Sequence, residues 1–444
     1  MNTRSGPDFT VVGAGLAGSL MACYLARAGY QVHVLERRSD PRLTGGGEGR
    51  SINLAISARG LDALDQVGLK EQVLSMAVPM RGRMMHSEDG RLTFQRYGTR
   101  ETDVINSVSR AGLNTLLLDA AGAAGNVTME FDTRVLDVDP ESGVLDVVVG
   151  ESQAVTSREA GVVVGADGAF SSIRTRLHRL DRFDYRQDYL EYGYKELSIP
   201  AGGSGEFQME PNALHIWPRG GAMMIGLPNP DGSFTCTLFW PLDGPLSFSA
   251  LKSATNVREF FSTHYADAVP HMPRLGFEYL ENATSSLVTV RCGPWSHEDR
   301  IVLIGDAAHA VVPFYGQGAN AAFADCPVLT RCIESHRGDL ARAFHEYYVG
   351  RKRHLDVLAE LAIANFVEMR DHVSSPMFRG KKRLERILHR VFPAWFVPLY
   401  SMVSFSLVPY GDAVRRAWRQ QLVVRTLGVG LLLVILAGAM WLWS

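Results

Sequence analysis

The chain has 444 residues, with 45 Lys and Arg against 47 Asp and Glu and a net charge of −2. That length predicts two or three domains sharing a large core, and near-neutral charge without a long basic run removes support for nucleic-acid binding. The five cysteines (Cys23, Cys236, Cys292, Cys326, Cys332) are scattered and form no metal-type pair with a His cluster. They read as reduced thiols of a cytosolic enzyme, and no metal is expected.

In chain order, the first apolar run begins at Phe9 and reads as a strand over 9–12, so no signal peptide is expected. Gly13-Ala14-Gly15-Leu16-Ala17-Gly18 follows, then a helix over 19–28 and a second strand over 31–35, closed by Glu36. In this order the first Gly makes a tight turn, the second admits a pyrophosphate, and the third lets helix and strand pack closely. Glu36 stands where an acidic side chain accepts hydrogen bonds from a ribose. The glycine-rich loop 44–49 leads into Arg50-Ser-Ile-Asn-Leu54, which reads either as a segment beside a cofactor ring or as surface. Asp89-Gly90 between two strand-like runs signals a hairpin over 81–94. Arg83 on that hairpin reads as a solvated charge or as a carboxylate clamp.

A Leu-rich helix starts at Arg110, strands fill 127–149, and a buried strand over 160–166 ends in Asp167-Gly168 before a helix from about 171. Asp167 there faces a cofactor or makes an ordinary turn. Residues 185–280 have the texture of an antiparallel sheet without long helices, a natural substrate wall. A strand over 300–304 then enters Gly305-Asp306, a kinked loop with Pro313 and Gly316-Gln317-Gly318, and a helix from near Gln317. The loop and helix N-terminus make a surface that favours an anion. Amphipathic helices are expected over 339–372 and 381–391, their basic clusters reading as solvated faces or as contacts for anionic lipid. Residues 426–444 carry no charge, follow Arg415, Arg416, Arg419 and Arg425, and end with Trp441 and Trp443. As a helix they reach about 28 Å, close to the hydrocarbon thickness of a bilayer. They read as a membrane tail, a buried terminal helix or a docking segment.

The three motifs, Gly13/Gly15/Gly18 with Glu36, Asp167-Gly168, and Gly305-Asp306 with Pro313 and Gly316-Gln317-Gly318, resemble those of the flavin-dependent aromatic monooxygenases, whose fold is that of para-hydroxybenzoate hydroxylase. Arg50-Ser-Ile-Asn-Leu54, Met80-Arg-Gly-Arg-Met84, Gly193-Tyr-Lys-Glu-Leu197, the run from Glu210 to Pro218, Asn365-Phe-Val-Glu-Met369 and the run from Tyr400 to Phe405 are similar to the kynurenine-hydroxylating branch of that family. The resemblance spans roughly 9–419. It implies an α/β fold: a Rossmann-like FAD-binding domain (8–75, 100–183 and 288–340), an inserted antiparallel β-sheet substrate domain (76–99 and 184–287), a C-terminal helical region (341–425) and a hydrophobic tail helix (426–444). The tail resembles the membrane anchor of eukaryotic members, with the catalytic domain in the cytoplasm.

The implied reaction is hydroxylation of L-kynurenine, or of a substituted kynurenine or other aminoaromatic acid, using FAD, NADPH or NADH, and dioxygen, through a flavin hydroperoxide. No side chain is an obligatory base, because the cofactor carries the chemistry. Arg83 is implied to clamp the amino-acid carboxylate, helped by Tyr97, Asn365 and Tyr400. Phe314, Tyr315, Glu368 and Met223 are implied to line the pocket, with Tyr315 standing where Phe or His is expected. The implied FAD contacts are Gly13, Gly15, Leu16, Ala17, Gly18, Glu36, Arg37, Arg50, Ala55, Arg110, Asp167, Asp306, Pro313, Gly316, Gln317, Gly318, Ala319 and Asn320.

Overall fold

The structure is a computed structural model that describes residues 9–43, 53–372 and 376–443, with side chains described outside 371–379, 381–382, 428–429 and 431–444. Val, Ile and Leu runs bounded by glycine turns build a six-stranded sheet. Its order is Ser296–His297, Ile301–Leu303, Val162–Gly165, Phe9–Val12, Val32–Leu35, Val127–Glu130. All neighbours pair in parallel except the edge strand Ser296–His297. Strands covered on both faces read as continuous apolar runs, as Val162–Gly165 and Ile301–Leu303 do. Helices Leu16–Arg27, Arg110–Gly122 and Gly318–Ser335 pack together in the core, burying Leu20, Leu117 and Phe323.

The three strands that lead into the three motifs are neighbours. Phe9–Val12 pairs with Val162–Gly165, which pairs with Ile301–Leu303. Their carboxyl ends therefore deliver Gly13, Asp167 and Gly305 to one sheet edge, where open α/β sheets bind ligands.

A second, seven-stranded sheet has the order Ser285–Gly293, Asp184–Ile199, Phe234–Pro241, Ala222–Pro228, Ala213–Arg219, Gly82–His86, Leu92–Arg96. It is antiparallel except where Gly82–His86, arriving from an earlier part of the chain, lies parallel to Ala213–Arg219. Residues 185–280 were expected to lack long helices. No long helix occurs there, but two short ones that the strand texture did not announce, Ala254–His264 and Leu275–Glu281, are present. Val257, Phe261 and Leu275 bury against Trp217, Trp240 and Phe234 on the back of the sheet. The front face contributes Met85, Ile216, Met223 and Phe239 to the main core, together with Phe314, Tyr315 and Phe366.

The 28-residue helix Leu340–Val367 links the two sheets. It packs on Gly318–Ser335 and on the turn Pro313–Tyr315. It ends in a π-helical turn, Glu368–His372, a geometry common at functional sites. After the helices Pro376–Val391 and Leu399–Ser404, a final helix runs over Tyr410–Trp443. Among the described residues no helix is long and apolar enough to cross a membrane. Most side chains of the expected tail, 428–429 and 431–444, lie outside the described ones, so the expected anchor finds no support there.

Candidate active site

At the sheet edge the glycines have distinct surroundings. Gly13 has φ +104°, and a Cβ there would lie 2.7 Å from the Ala166 carbonyl oxygen. A Cβ on Gly18 would lie 1.9 Å from the Gly13 carbonyl oxygen. Gly15 is exposed, and a Cβ on it would meet nothing within 4 Å. The second glycine therefore faces a cradle, while the first and third serve close packing. Glu36 is half-buried after its strand and accepts from Ala14 N at 2.8 Å and Arg38 N at 3.0 Å. Arg37 is exposed beside it, Leu16 is buried, and Ala17 is half-buried. Arg50 lies outside the described residues.

Asp167 Oδ2 accepts from Ser172 N at 2.7 Å and Ser172 Oγ at 3.1 Å, while its buried Oδ1 has no partner. Asp306 is exposed at the start of the short helix Asp306–His309, next to Gly305 with φ +57°. Arg110 is exposed at the start of its helix. Three of the helices that begin at this edge, Leu16–Arg27, Asp306–His309 and Gly318–Ser335, have no side-chain cap. The helix Ser172–Leu177, which follows Asp167, is capped by Ser171, and helices away from the edge are of both kinds: Arg110–Gly122 is capped by Ser109, while Ala58–Gln66 and Leu275–Glu281 are uncapped. Uncapped N–H donors suit phosphate and an anionic ring edge. The cradle at Gly15, the orphaned Asp167 oxygen and the uncapped helix starts all fit a dinucleotide such as FAD.

In the motif expected from 305 to 320, Pro313 is exposed and Gly316 is left-handed, with φ +64°. A Cβ on Gly316 would lie 3.1 Å from Ala55 Cβ, which places the strand Asn53–Ile56 against the loop. The side chains of Gln317 and Asn320 are otherwise occupied. Asn320 Nδ2 donates to the Ala55 and Gly316 carbonyls, both at 2.8 Å, and its Oδ1 accepts from Ser57 N at 2.8 Å. Gln317 Nε2 donates to Ser57 Oγ at 3.1 Å, and its Oε1 accepts from Tyr410 Oη at 3.1 Å. Gly318 and Ala319, both half-buried, begin the helix and present backbone N–H groups.

Sequence reasoning missed the group behind this loop. Asp325, fully buried, accepts from Gly305 N at 3.0 Å and Arg351 Nε at 2.8 Å and lies 2.6 Å from His309 Nε2. Burial opposes its ionisation, but His309 and Arg351 hold its carboxyl below the ordinary carboxylate range. His309 and Asp325 are polar residues in apolar runs, and no local pattern distinguishes them from misplaced charges.

The other pole lies on the front of the second sheet. The Arg83 guanidinium carbon sits 4.7 Å from the Tyr400 ring centroid and 5.8 Å from that of Tyr97. The two rings stack at 5.7 Å, and Tyr315 adjoins Tyr400 at 5.6 Å. Arg83 Nε and Tyr97 Oη are buried without partners. Burial pushes the phenols of Tyr97 and Tyr315 far up, so both remain neutral. Asn365 Nδ2 donates to the Phe314 carbonyl at 2.6 Å. Phe314 stacks on Phe366 at 4.2 Å and tilts onto Phe239 at 4.8 Å. Met223 is buried on the strand paired with Phe239. Glu368 is half-buried at the π turn and lies in the electrostatic field of Arg83 and Tyr315. Arg83, Tyr97, Tyr315, Tyr400 and Glu368 thus meet as one group. Asn365 joins it through Phe314 and the Pro313–Tyr315 turn, which also touches the cofactor loop. Phe239 and Phe366 belong to the same aromatic wall and were missed.

A dinucleotide cradle abutting an aromatic cluster with a buried guanidinium at its edge suits an FAD-binding oxidoreductase acting on a flat, anionic compound. The FAD binding domain family matches residues 8–191 and 275–355. The kynurenine 3-monooxygenase of Salinispora tropica is 50% identical, over 97% of this chain and 95% of its own length. That of Dictyostelium discoideum is 43% identical, over 95% of this chain and 93% of its own. The tetrameric form of 2-methyl-3-hydroxypyridine-5-carboxylic acid oxygenase shares the fold at a TM-score of 0.67 and 19% identity, covering 84% of this chain and 95% of that one. The chain belongs to the kynurenine 3-monooxygenase family.

Proposed function

We propose that this protein hydroxylates L-kynurenine to 3-hydroxy-L-kynurenine with FAD, NAD(P)H and dioxygen. The observation that carries the reading is the Arg83 group: a guanidinium beside two stacked tyrosine rings, with a buried Nε and a buried Tyr97 hydroxyl unpartnered, at the edge of an otherwise aromatic cluster. A planar guanidinium meets a carboxylate through paired hydrogen bonds. Arg83 and Tyr97 bind the amino-acid carboxylate, and Tyr400 stacks beside it. Glu368 faces the substrate's ammonium group. Phe314, Tyr315 and Met223 flank the aniline ring and exclude water, which favours productive oxygen transfer over loss of peroxide. Asn365 fixes the Pro313–Tyr315 turn that joins substrate to cofactor.

Gly13, Gly15 and Gly18 with Glu36, Asp167 and Asp306 would hold FAD, and the backbone of 316–320 would face its ring. Bound FAD supplies reductive activation of dioxygen, with NAD(P)H as the electron source. The substrate's own amino group makes its ring electron-rich at the ortho carbon, so no side chain has to remove a proton first. Product analysis with L-kynurenine, NADPH and FAD tests the reading. 3-Hydroxykynurenine is the expected product, and absence of both product and kynurenine-stimulated NADPH oxidation would overturn it.

We further propose that 426–444 anchors the protein to a membrane, with the catalytic part in the cytoplasm. The support is in the sequence: no charge over this stretch, four arginines just before it and two tryptophans near its end.

A further inference from the structure

Behind the sheet that carries Arg83, three titratable side chains form one hydrogen-bonded line. Asp267 Oδ2 lies 2.5 Å from His86 Nδ1, and His86 Nε2 lies 2.8 Å from His215 Nδ1. His215 Nε2 lies 2.8 Å from the Glu210 carbonyl oxygen. His86 is 4% exposed and His215 1% exposed, so water does not substitute for a missing partner. Both ends of the line are oxygens. A carbonyl only accepts, and so does an ionised carboxylate. Three contacts therefore require three protons, whereas two neutral imidazoles carry two.

We infer that the third proton makes His86 an imidazolium, and that His86 in this form is a positioning residue for Arg83. The surroundings decide where the proton sits. Asp267 also accepts from Trp217 Nε1 at 2.9 Å and faces Arg219 Nη2 at 3.8 Å. Burial opposes its charge, but hydrogen bonds from His86 and Trp217 hold its carboxyl below the ordinary range. Burial pulls His215 down to about 4, which leaves it neutral. His86 stacks on Trp217 at 3.9 Å, and an indole face attracts a cation. The remaining charged and titratable neighbours centre on Arg219, whose Nη1 donates to the His86 carbonyl at 2.8 Å. Glu88 and Tyr265 lie around that guanidinium.

His86 ends the strand Gly82–His86, three residues and about 10 Å from Arg83, on the opposite face. The line ties this strand to its parallel neighbour Ala213–Arg219 and to Asp267 outside the sheet. When His86 loses its extra proton, one of the three contacts becomes lone pair against lone pair. The strand end loosens and Arg83 loses its register. Kynurenine affinity then falls as pH rises, while kcat of the saturated enzyme does not follow that limb. This last consequence rests on Arg83 being the carboxylate clamp.

The test uses full-length holoenzyme and reads the L-kynurenine Kd from flavin absorbance, from about pH 6.5 to about 9.5. In Asp267→Asn the new amide donates to His86 Nδ1, so two neutral imidazoles complete the line with no third proton. The variant loses the Trp217 bond, a cost that does not titrate. The wild-type Kd is expected to rise roughly tenfold across the alkaline limb relative to Asp267→Asn, the size of one lost hydrogen bond. Titration of the substrate's own amino group cancels in that ratio. Nitrogen-15 histidine spectra near pH 7 are expected to contain a ring with both nitrogens protonated that disappears in His86→Gln. A set of doubly protonated rings unchanged by His86→Gln, or the same alkaline limb in both proteins, would overturn the inference. If Arg83→Ala leaves Kd unchanged, the clamp reading fails, while the spectra still decide the charge on His86.

Discussion

Gly15 and Gly18 lie three residues apart and answer to different constraints. Gly18 is fixed by the protein itself, because any Cβ there strikes the Gly13 carbonyl at 1.9 Å. Gly15 has φ −73°, which alanine adopts freely, and open space in front of it. Gly18→Ala should therefore destabilise the apoprotein by at least about 1–3 kcal/mol, the usual cost of overpacking. Gly15→Ala should leave apoprotein unfolding nearly unchanged and weaken FAD binding on the order of tenfold or more. Thermal unfolding of apoprotein beside a flavin titration separates the two, and equal effects in both assays would refute the division of roles. At the substrate pole, Arg83→Ala should raise the kynurenine KM by roughly 30-fold to 100-fold, about 2–3 kcal/mol for a charge-assisted pair, with flavin content unchanged. Arg83→Lys should recover only part of this, since an ammonium lacks the planar fork. Steady-state kinetics with the flavin-to-protein absorbance ratio checks both.

The elements around the cofactor are held by a charge that no local pattern announced. Asp325 sits on the helix Gly318–Ser335 and binds the Gly305 turn, His309 and Arg351 of the helix Leu340–Val367. It thus joins three elements that converge on the flavin loop. Removing one partner of a buried ion pair leaves the other uncompensated, typically costing about 3–5 kcal/mol. Asp325→Ala should lower stability by that order and release FAD, whereas Asp325→Asn, which keeps one acceptor, should cost less. Urea unfolding with flavin fluorescence measures both. The pH dependence has a definite sign. The folded carboxyl is held below the ordinary value near 4, so its stabilising contribution is present above that value and lost as pH falls through the folded one.

Elements defined by neighbours in sequence could be read before the structure: the glycine turns, the hairpin at Asp89-Gly90 and the strands feeding the three motifs. Their physics is local, since a turn residue or an apolar period acts within a few positions. The Arg83 group was reached through family resemblance, because residues 83, 97, 315 and 400 share no local pattern. The Asp325 and His86 networks escaped for the same reason. Their partners lie 16 and 26 positions apart in one case, and 129 and 181 in the other. The helices Ala254–His264 and Leu275–Glu281 were missed because the surrounding strands set the expectation. Gln317 and Asn320 sit in a cofactor motif, yet their side chains bind the protein, a distinction only three-dimensional contacts can draw.

At the scale of the whole molecule the last helix has two parts. Its first turns belong to the core: Tyr410 donates to Gln317 beneath the flavin loop, Tyr410 and Ala413 are fully buried, and Ala417 is 6% exposed. Farther on, Trp418, Leu422, Val423 and Leu427 are exposed, and Arg415, Arg416, Arg419 and Arg425 lie on the same stretch. Truncation should therefore depend sharply on where it falls. Removing 426–444 leaves Tyr410 and its contact with Gln317 in place, so kynurenine turnover and FAD content should persist while the protein moves from the membrane fraction to the supernatant. Truncation before Tyr410 removes that contact and the cover over Arg59, whose guanidinium lies 4.2 Å from the Tyr410 ring centroid. Flavin loss should then accompany loss of activity. If the protein cut after Arg425 stays with the membrane, the anchor lies elsewhere, and the exposed basic and aromatic residues before the tail become the segment to test.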